Sequence, residues 1–337
     1  MDVVVCGALV PFTTGGAELH MDNMVSALRA AGHRAELVRL PVAWEKGRLF
    51  DAPLAWRMVP LDADLVIATN FPSYFIRHPN KVVWLFHQHR GAYDTVDSPW
   101  SDIGTDDVSL EVQRLMVEWD NRALGEARRI FTTSIAVADR LARYNGLVGT
   151  PLYHPPPLHD RLHPGPFGRY VLCPTRLAAN KRPQLAVEPL AHVTSDVASV
   201  VAGRGALAAD LNNLVERLAL GDRVTLAGFV PDDDLVALYA GALAVIYAPQ
   251  DEDYGYVTLQ AFLAGKPVIT AADSGGVLEW VRDGENGIVT DGTPAAIAAA
   301  IDRLAADPAE AHRLGAAGLD RVRGLSWPPV VDRLLGG

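Results

Sequence analysis

Cysteine is nearly absent: Cys6 and Cys173 are the only two in 337 residues, and both lie in apolar, strand-like runs. That scarcity excludes a disulfide framework and a cysteine-based metal site, and two buried thiols are expected. Long hydrophobic runs are missing too. The longest, Leu235 to Pro249, is too short to cross a bilayer and ends in proline. The N-terminus goes straight into Val3-Val4-Val5 without a basic segment and signal core, so a cytoplasmic enzyme is expected. Positive charge is in deficit, and a formal net charge of −10 argues against a nucleic-acid partner, which needs a basic surface. Neither GxGxxG nor GxxxxGK occurs, which leaves dinucleotide and P-loop readings without support.

What is present is alternation of short apolar runs with amphipathic stretches. Hydrophobic residues make up 49% and charged residues 21%, as in a soluble globular protein, and the length suffices for two domains. In the first half, strands are expected at 3–5, 35–40, 64–69, 81–86 and 129–133, with a long helix over 107–126. This is the pattern of an α/β, doubly wound parallel sheet, whose ligands sit at the carboxyl ends of the strands. Gly15-Gly16 stands at the first strand-to-helix turn, where backbone amides can approach a phosphate; a plain tight turn is the other reading. His87 and His89 follow a strand end, where an imidazole can donate to a sugar hydroxyl, and their alternation speaks against a shared metal. Segment 149–166 holds six prolines and three histidines and reads as a solvated, semi-rigid connector. The domain boundary is placed there, giving domains 1–160 and 161–324, with residues 325–337 returning to the first.

The second half carries more chemistry. After the strand Tyr170–Pro174, Arg176, Lys181 and Arg182 crowd one carboxyl end, where guanidinium forks and an ammonium suit phosphate oxygens better than ordinary surface pairing. A helix is expected from Pro183. Gly203-Arg204-Gly205 and Gly228-Phe229-Val230 end the next two strands, and the latter could let a base lie against backbone. Residues 247–264 then combine a buried strand, acids at 251–253, a turn at Gly255 and a helix start. Free N–H groups at that helix start accept an anion, while the carboxylates beside them suit sugar hydroxyls. A nucleotide-linked sugar fits both. After this a helix is expected at 277–281, and Trp327-Pro328-Pro329 is expected to break the chain before an amphipathic tail.

Taken in order, these elements resemble the donor domain of retaining GT-B glycosyltransferases, family 4 (glycosyl transferases group 1). The resemblance rests on Thr175-Arg176-Leu177 with Lys181-Arg182, Gly203-Arg204-Gly205, Gly228-Phe229-Val230, Glu252-Asp253-Tyr254-Gly255, Gly275-Gly276-Val277-Leu278-Glu279 and Asp283-Gly284-Glu285-Asn286-Gly287. They cover most of 170–290; the first half agrees more loosely, through Gly15-Gly16 and His87. The resemblance implies two Rossmann-like domains facing across a cleft that holds a nucleoside-diphosphate sugar. It implies that Arg176 and Lys181 carry the diphosphate leaving group, Glu252 binds sugar hydroxyls and His87 sits beside the anomeric centre. It further implies donor contacts from Gly15, Gly16, Arg182, Gly203, Gly228, Phe229, Val230, Asp253, Tyr254, Gly255, Tyr256 and Val257, with no metal and no other cofactor. Where the family has a second glutamate contacting the ribose, this chain has Gln260. A neutral amide there is expected to bind nucleotide about 1–2 kcal/mol more weakly, so that Gln260→Glu should tighten it.

Two further readings fit the same residues. One is a nucleotide-sugar epimerase or hydrolase of the same fold, using Asp251, Glu252 and Asp253 as acid and base. The other is a non-catalytic sugar-nucleotide-binding relative, motivated by Gln260. The acceptor, a hydroxyl compound, is not identified, nor are the sugar, the base or the oligomeric state. Loops 44–60 and 90–106 carry Trp44, Trp56, Tyr93 and Trp100, which either stack on a sugar or lipid or pack internally. A peripheral membrane association stays open, although no strongly basic amphipathic helix supports it.

Overall fold

Short apolar strands, each followed by an amphipathic helix or a tight turn, build both halves of the chain. The computed structural model describes residues 1–12, 15–96, 98, 101 and 103–336. It divides the chain into Met1–His154 with Ser326–Gly337, and Pro155–Leu325. The change of unit falls at 154/155, ahead of the 160/161 expected from the proline-rich segment.

The first unit runs β1 (Asp2–Leu9), α1 (Gly16–Ala30), β2 (Arg34–Pro41), α2 (Asp51–Met58), β3 (Leu65–Ala68), β4 (Lys81–Leu85), α3 (Asp107–Gly125), β5 (Arg129–Thr132), α4 (Ile135–Asn145) and β6 (Thr150–Pro151). Its sheet has the order β2-β1-β3-β4-β5-β6, with every pairing parallel. Every residue of β3 and β4 is buried, as central strands covered on both faces require. Met21, Met24, Val25 and Leu28 form the buried stripe of α1. Asp106 caps α3 through the Ser109 amide, and Ser134 caps α4 through the Val137 amide.

The second unit runs β7 (Tyr170–Pro174), β8 (Ala198–Ala202), α5 (Ala208–Arg217), β9 (Val224–Gly228), α6 (Asp232–Gly241), β10 (Ala244–Ile246), α7 (Tyr256–Leu263), β11 (Val268–Ala271), β12 (Gly287–Thr290), α8 (Pro294–Ala306) and α9 (Pro308–Val322). Its parallel sheet has the order β12-β11-β10-β7-β8-β9. The chain therefore reverses its direction of winding between β7 and β10, and the loops after these two strands leave the sheet side by side. The last helix, α10 (Trp327–Leu335), packs back on α1.

Several local expectations are corrected. The helix expected from Pro183 is two 3-10 turns, Pro183–Ala186 and Glu188–Ala191, because Pro189 offers no N–H to continue an α-helix. Residues 276–279 likewise form a 3-10 turn. Pro328 and Pro329 do not break the chain but occupy the first turn of α10, where a missing N–H costs nothing. The connector is not wholly solvated, since His154 is 1% exposed. Its Thr150–Pro151 pairs with the edge of β5. Both cysteines are buried and unpaired, and burial pushes each thiol up to about 12. No helix among the described residues is long and apolar enough to cross a membrane.

Candidate functional site

The reversal between β7 and β10 is where a doubly wound sheet presents its ligand site, and the charged loops of the sequence converge there. The Gln250 amide donates to the Asn180 carbonyl at 2.8 Å, which ties the loop after β10 to the loop after β7. Across that tie the Lys181 ammonium meets the Glu252 carboxylate. Tyr247, one residue past β10 and 4% exposed, donates its hydroxyl to the same carboxylate oxygen, Oε2, at 2.6 Å. Burial pushes the Glu252 carboxyl up, but the Lys181 charge and hydrogen bond, with the Tyr247 hydroxyl, more than offset it. The net result is a carboxylate held below its ordinary range. Burial, with the adjacent Glu252 charge, keeps the Tyr247 phenol protonated, far above its ordinary value.

Of the three cations expected to grip phosphate, each has a different environment. Arg176 is exposed and pairs with no carboxylate among the described residues. Lys181 is paired as above. Arg182 is committed to structure: its Nε donates to the Ala248 carbonyl at 2.7 Å and its Nη2 to the Pro249 carbonyl at 2.9 Å. Its two terminal nitrogens also clasp Asp273 at 2.9 and 2.6 Å. Few donors remain for a phosphate, so Arg182 is better described as the rivet that shapes the β10 and β11 loops.

The glycines act chiefly by close approach. A Cβ at Gly203 would sit 1.8 Å from the Thr175 carbonyl oxygen, and one at Gly205 would sit 2.4 Å from that of Leu177. Their role is to let the β8 loop lie on the Arg176 loop. The Gly228 carbonyl accepts from the Gly203 amide at 2.7 Å. Phe229 beside it is 64% exposed, with the Arg204 guanidinium 5.2 Å from its ring centroid; Val230 is half-buried. Gly255, at φ +83°, turns the chain into α7, so that the backbone amides of Tyr256 and Val257 stand at the helix start. Tyr254 is buried against Tyr256 and Trp280, and the carbonyls of Glu252 and Asp253 lie against Gly276. Gln260 is 8% exposed and spans two internal partners: Tyr239 donates to its Oε1 at 2.9 Å, and its Nε2 donates to the Pro157 carbonyl at 3.1 Å. The ribose contact expected of Gln260 has at most one N–H and one lone pair left to use.

In the first unit, the Nδ1–H of half-buried His87 donates to the Gln88 carbonyl at 2.8 Å, so in the neutral ring Nε2 carries the lone pair. Gly15 caps α1, and its N–H donates to the Glu18 carboxylate at 2.9 Å. A phosphate approaching Gly15 and Gly16 has to contend with that carboxylate. Trp56 and Tyr93 are core residues, Trp44 stacks on His89 at 5.4 Å, and Trp100 lies outside the described residues. Groups of three or more His, Cys, Asp or Glu able to hold a metal are absent among the described residues.

Sequence reasoning missed Tyr247, Asn180 and Asp273. Tyr247 alone left a signal, as a lone hydroxyl ending an otherwise apolar strand five residues before Glu252. It also missed the His20–His154 pair of the first unit, whose ring nitrogens lie 2.6 Å apart beside Trp84, Phe86 and Trp327.

Residues 166–321 match the family described as glycosyl transferases group 1. A curated relative named D-inositol 3-phosphate glycosyltransferase, from Mycolicibacterium gilvum, is 31% identical over 259 residues, covering 73% of this chain and 56% of its own length. The chain therefore spans about half of that relative. Among solved structures, sucrose-phosphate synthase from Thermosynechococcus elongatus superposes with a TM-score of 0.80 at 19% identity, covering 99% of this chain and 97% of its own. Anabaena HepE in complex with UDP-glucose gives 0.76 at 18%, covering 99% and 98%. At such identities the likeness shows the fold, and it is GT-B: two parallel α/β units of six strands each.

Proposed function

We propose that this chain is a retaining glycosyltransferase of family 4, which moves a sugar from a nucleoside-diphosphate donor to a hydroxyl of an acceptor. The observation that carries the reading is the meeting of Lys181 and Glu252 at the β7/β10 reversal, with Arg176, which pairs with no carboxylate among the described residues, on the same loop as Lys181. A cation and an acid at that point match a ligand with phosphates at one end and sugar hydroxyls at the other. The family matched by residues 166–321 and the UDP-glucose bound by the structural neighbour HepE support the same donor class.

In this reading Arg176 and Lys181 stabilise the charge that grows on the departing diphosphate, and the first amides of α7 add their dipoles. Glu252 accepts hydrogen bonds from donor-sugar hydroxyls. His87 steadies the sugar near its anomeric carbon. The acceptor hydroxyl attacks on the face the diphosphate leaves, and its proton passes to a leaving phosphate oxygen. The positive charge required comes from these side chains and amides rather than from a metal.

The test is incubation with uridine, guanosine, adenosine and thymidine diphosphate sugars, with and without hydroxyl acceptors that include an inositol phosphate and a sugar phosphate. Acceptor-dependent release of nucleoside diphosphate, with the α-anomeric configuration of an α-donor kept in the product, is expected. A sugar altered without transfer, or binding without turnover, would overturn the proposal.

A further inference from the structure

Lys181 and Tyr247 converge on one oxygen of Glu252. The hydroxyl donates at 2.6 Å, and the ammonium lies 3.5 Å from that hydroxyl. The side chains of Lys181 and Glu252 are only 13% and 16% exposed, so little water is at hand to solvate either charge alone. The same ammonium is the cation the proposed function assigns to the diphosphate. It therefore faces a choice between two anions.

We infer that Glu252 and the donor's diphosphate compete for Lys181, so that the carboxylate is freed for a sugar only when phosphate draws the ammonium away, with Tyr247 as the positioning residue that keeps it aimed. This rests on the transferase reading and deepens it. Tyr247 is almost fully buried, so its hydroxyl holds station when the lysine leaves. In the donor complex the sugar hydroxyls replace the ammonium as hydrogen-bond donors to Glu252. In the product complex, diphosphate without sugar, nothing replaces it, and a nearly dry carboxylate is left with one neutral donor. Return of Lys181 to Glu252 then favours release of the diphosphate. The pair thus discriminates donor from product, and it denies Glu252 to free sugars.

The experiment is calorimetry on the full chain with the nucleoside diphosphate and the sugar nucleotide that bind the wild type most tightly among the uridine, guanosine, adenosine and thymidine series. Glu252→Gln removes the competing charge. It is expected to tighten the diphosphate about tenfold, while the sugar nucleotide gains nothing, so the preference for the sugar nucleotide falls at least about tenfold. Tyr247→Phe keeps the ring and the charge. It is expected to weaken the sugar nucleotide about tenfold without tightening the diphosphate, a split that general loss of stability would not produce. Equal losses of both ligands in Glu252→Gln, or a diphosphate affinity unchanged by it, would overturn the competition. Should that variant fail to fold, Tyr247→Phe decides alone, and wild-type affinities for both ligands would refute the inference. A wild type that binds none of the eight compounds would instead sink the transferase reading itself.

Discussion

Gln260→Glu changes one side-chain amide to a carboxylate of nearly the same size, at a position where the fold has used both ends of the amide. The Tyr239 hydroxyl suits either group, since both offer an acceptor oxygen. The Pro157 carbonyl does not, because it now receives an N–H at 3.1 Å and would face a second acceptor instead. Losing the hydrogen bond costs about 1 kcal/mol, and leaving the carbonyl against an unpaired buried oxygen adds about 1–3 kcal/mol. For a unit of this size the sum lowers the unfolding temperature by on the order of 5–15 °C. The penalty has a pH signature. Burial would raise the folded pKa of the new carboxyl above its unfolded value of about 4.3, so the protonated form is the one the fold prefers. Protonated, it can donate to Pro157 again. The destabilisation relative to wild type should therefore be full at pH 8 and shrink as pH falls towards 4.5. Thermal unfolding of both proteins at pH 8, 6 and 5 tests this. A variant as stable as wild type at pH 8, with no pH dependence of the difference, would refute the reasoning. Nucleotide affinity on the same samples tests the expectation from sequence that the added charge tightens a ribose contact.

Arg176→Ala should leave stability within about 0.5 kcal/mol of wild type, because the side chain is exposed and pairs with no carboxylate among the described residues, yet lower turnover roughly a hundredfold; the two are read by thermal unfolding and by diphosphate release. His87→Ala should lower turnover while nucleoside-diphosphate affinity, measured by calorimetry, stays within about twofold of wild type. Burial lowers the pKa of His20 far below 6.5 and that of His154 to about 3, so the unfolded chain takes up protons first as pH falls below 6.5. Stability present above that pH should drop by roughly 2 kcal/mol per imidazole at pH 5, seen as a lower urea midpoint, whereas a midpoint unchanged from pH 7.5 to 5 would contradict a neutral pair. Lys266→Ala removes an ammonium that holds the carbonyls of Gly165 and Pro166 at 2.9 and 3.0 Å and lies 3.7 Å from the Phe167 ring centroid, and should cost about 2–4 kcal/mol of stability by urea denaturation.

The sheets were legible because their strands are fully buried, and a buried parallel strand declares itself as an apolar run: all four residues of β3 and of β11 are buried. The candidate site was legible as an order of polar residues following those runs, which put Lys181 and Glu252 on loops that strand order then made neighbours. What stayed hidden was set by partners distant in sequence. The amide of Gln260 looked available for a ribose because nothing near it in sequence announces Tyr239 or Pro157. His154, surrounded by prolines, looked solvated, and only α1 supplies the imidazole that meets it. The turns after Pro183 failed for a local reason, as Pro189 outweighs the apolar spacing around it.

The allocation of positive charge shows what that difference means for function. Counted in sequence, Arg176, Lys181 and Arg182 make a tricationic cluster fit to seize any phosphate. In the fold, Arg182 is neutralised by Asp273 and two carbonyls, and Lys181 by Glu252, so of the three it is Arg176 that pairs with no carboxylate among the described residues. One exposed guanidinium, screened by water, attracts anions weakly and without selection. Under the inferred competition for Lys181, such a site would gain its second cation only from a ligand that offers Glu252 something in exchange, and sugar hydroxyls on the same molecule as the phosphates are such an offer. On the proposed reading, selectivity for a nucleotide sugar over a bare nucleotide would come from the pairing of charges within the protein, before any contact to the base or to an acceptor is considered.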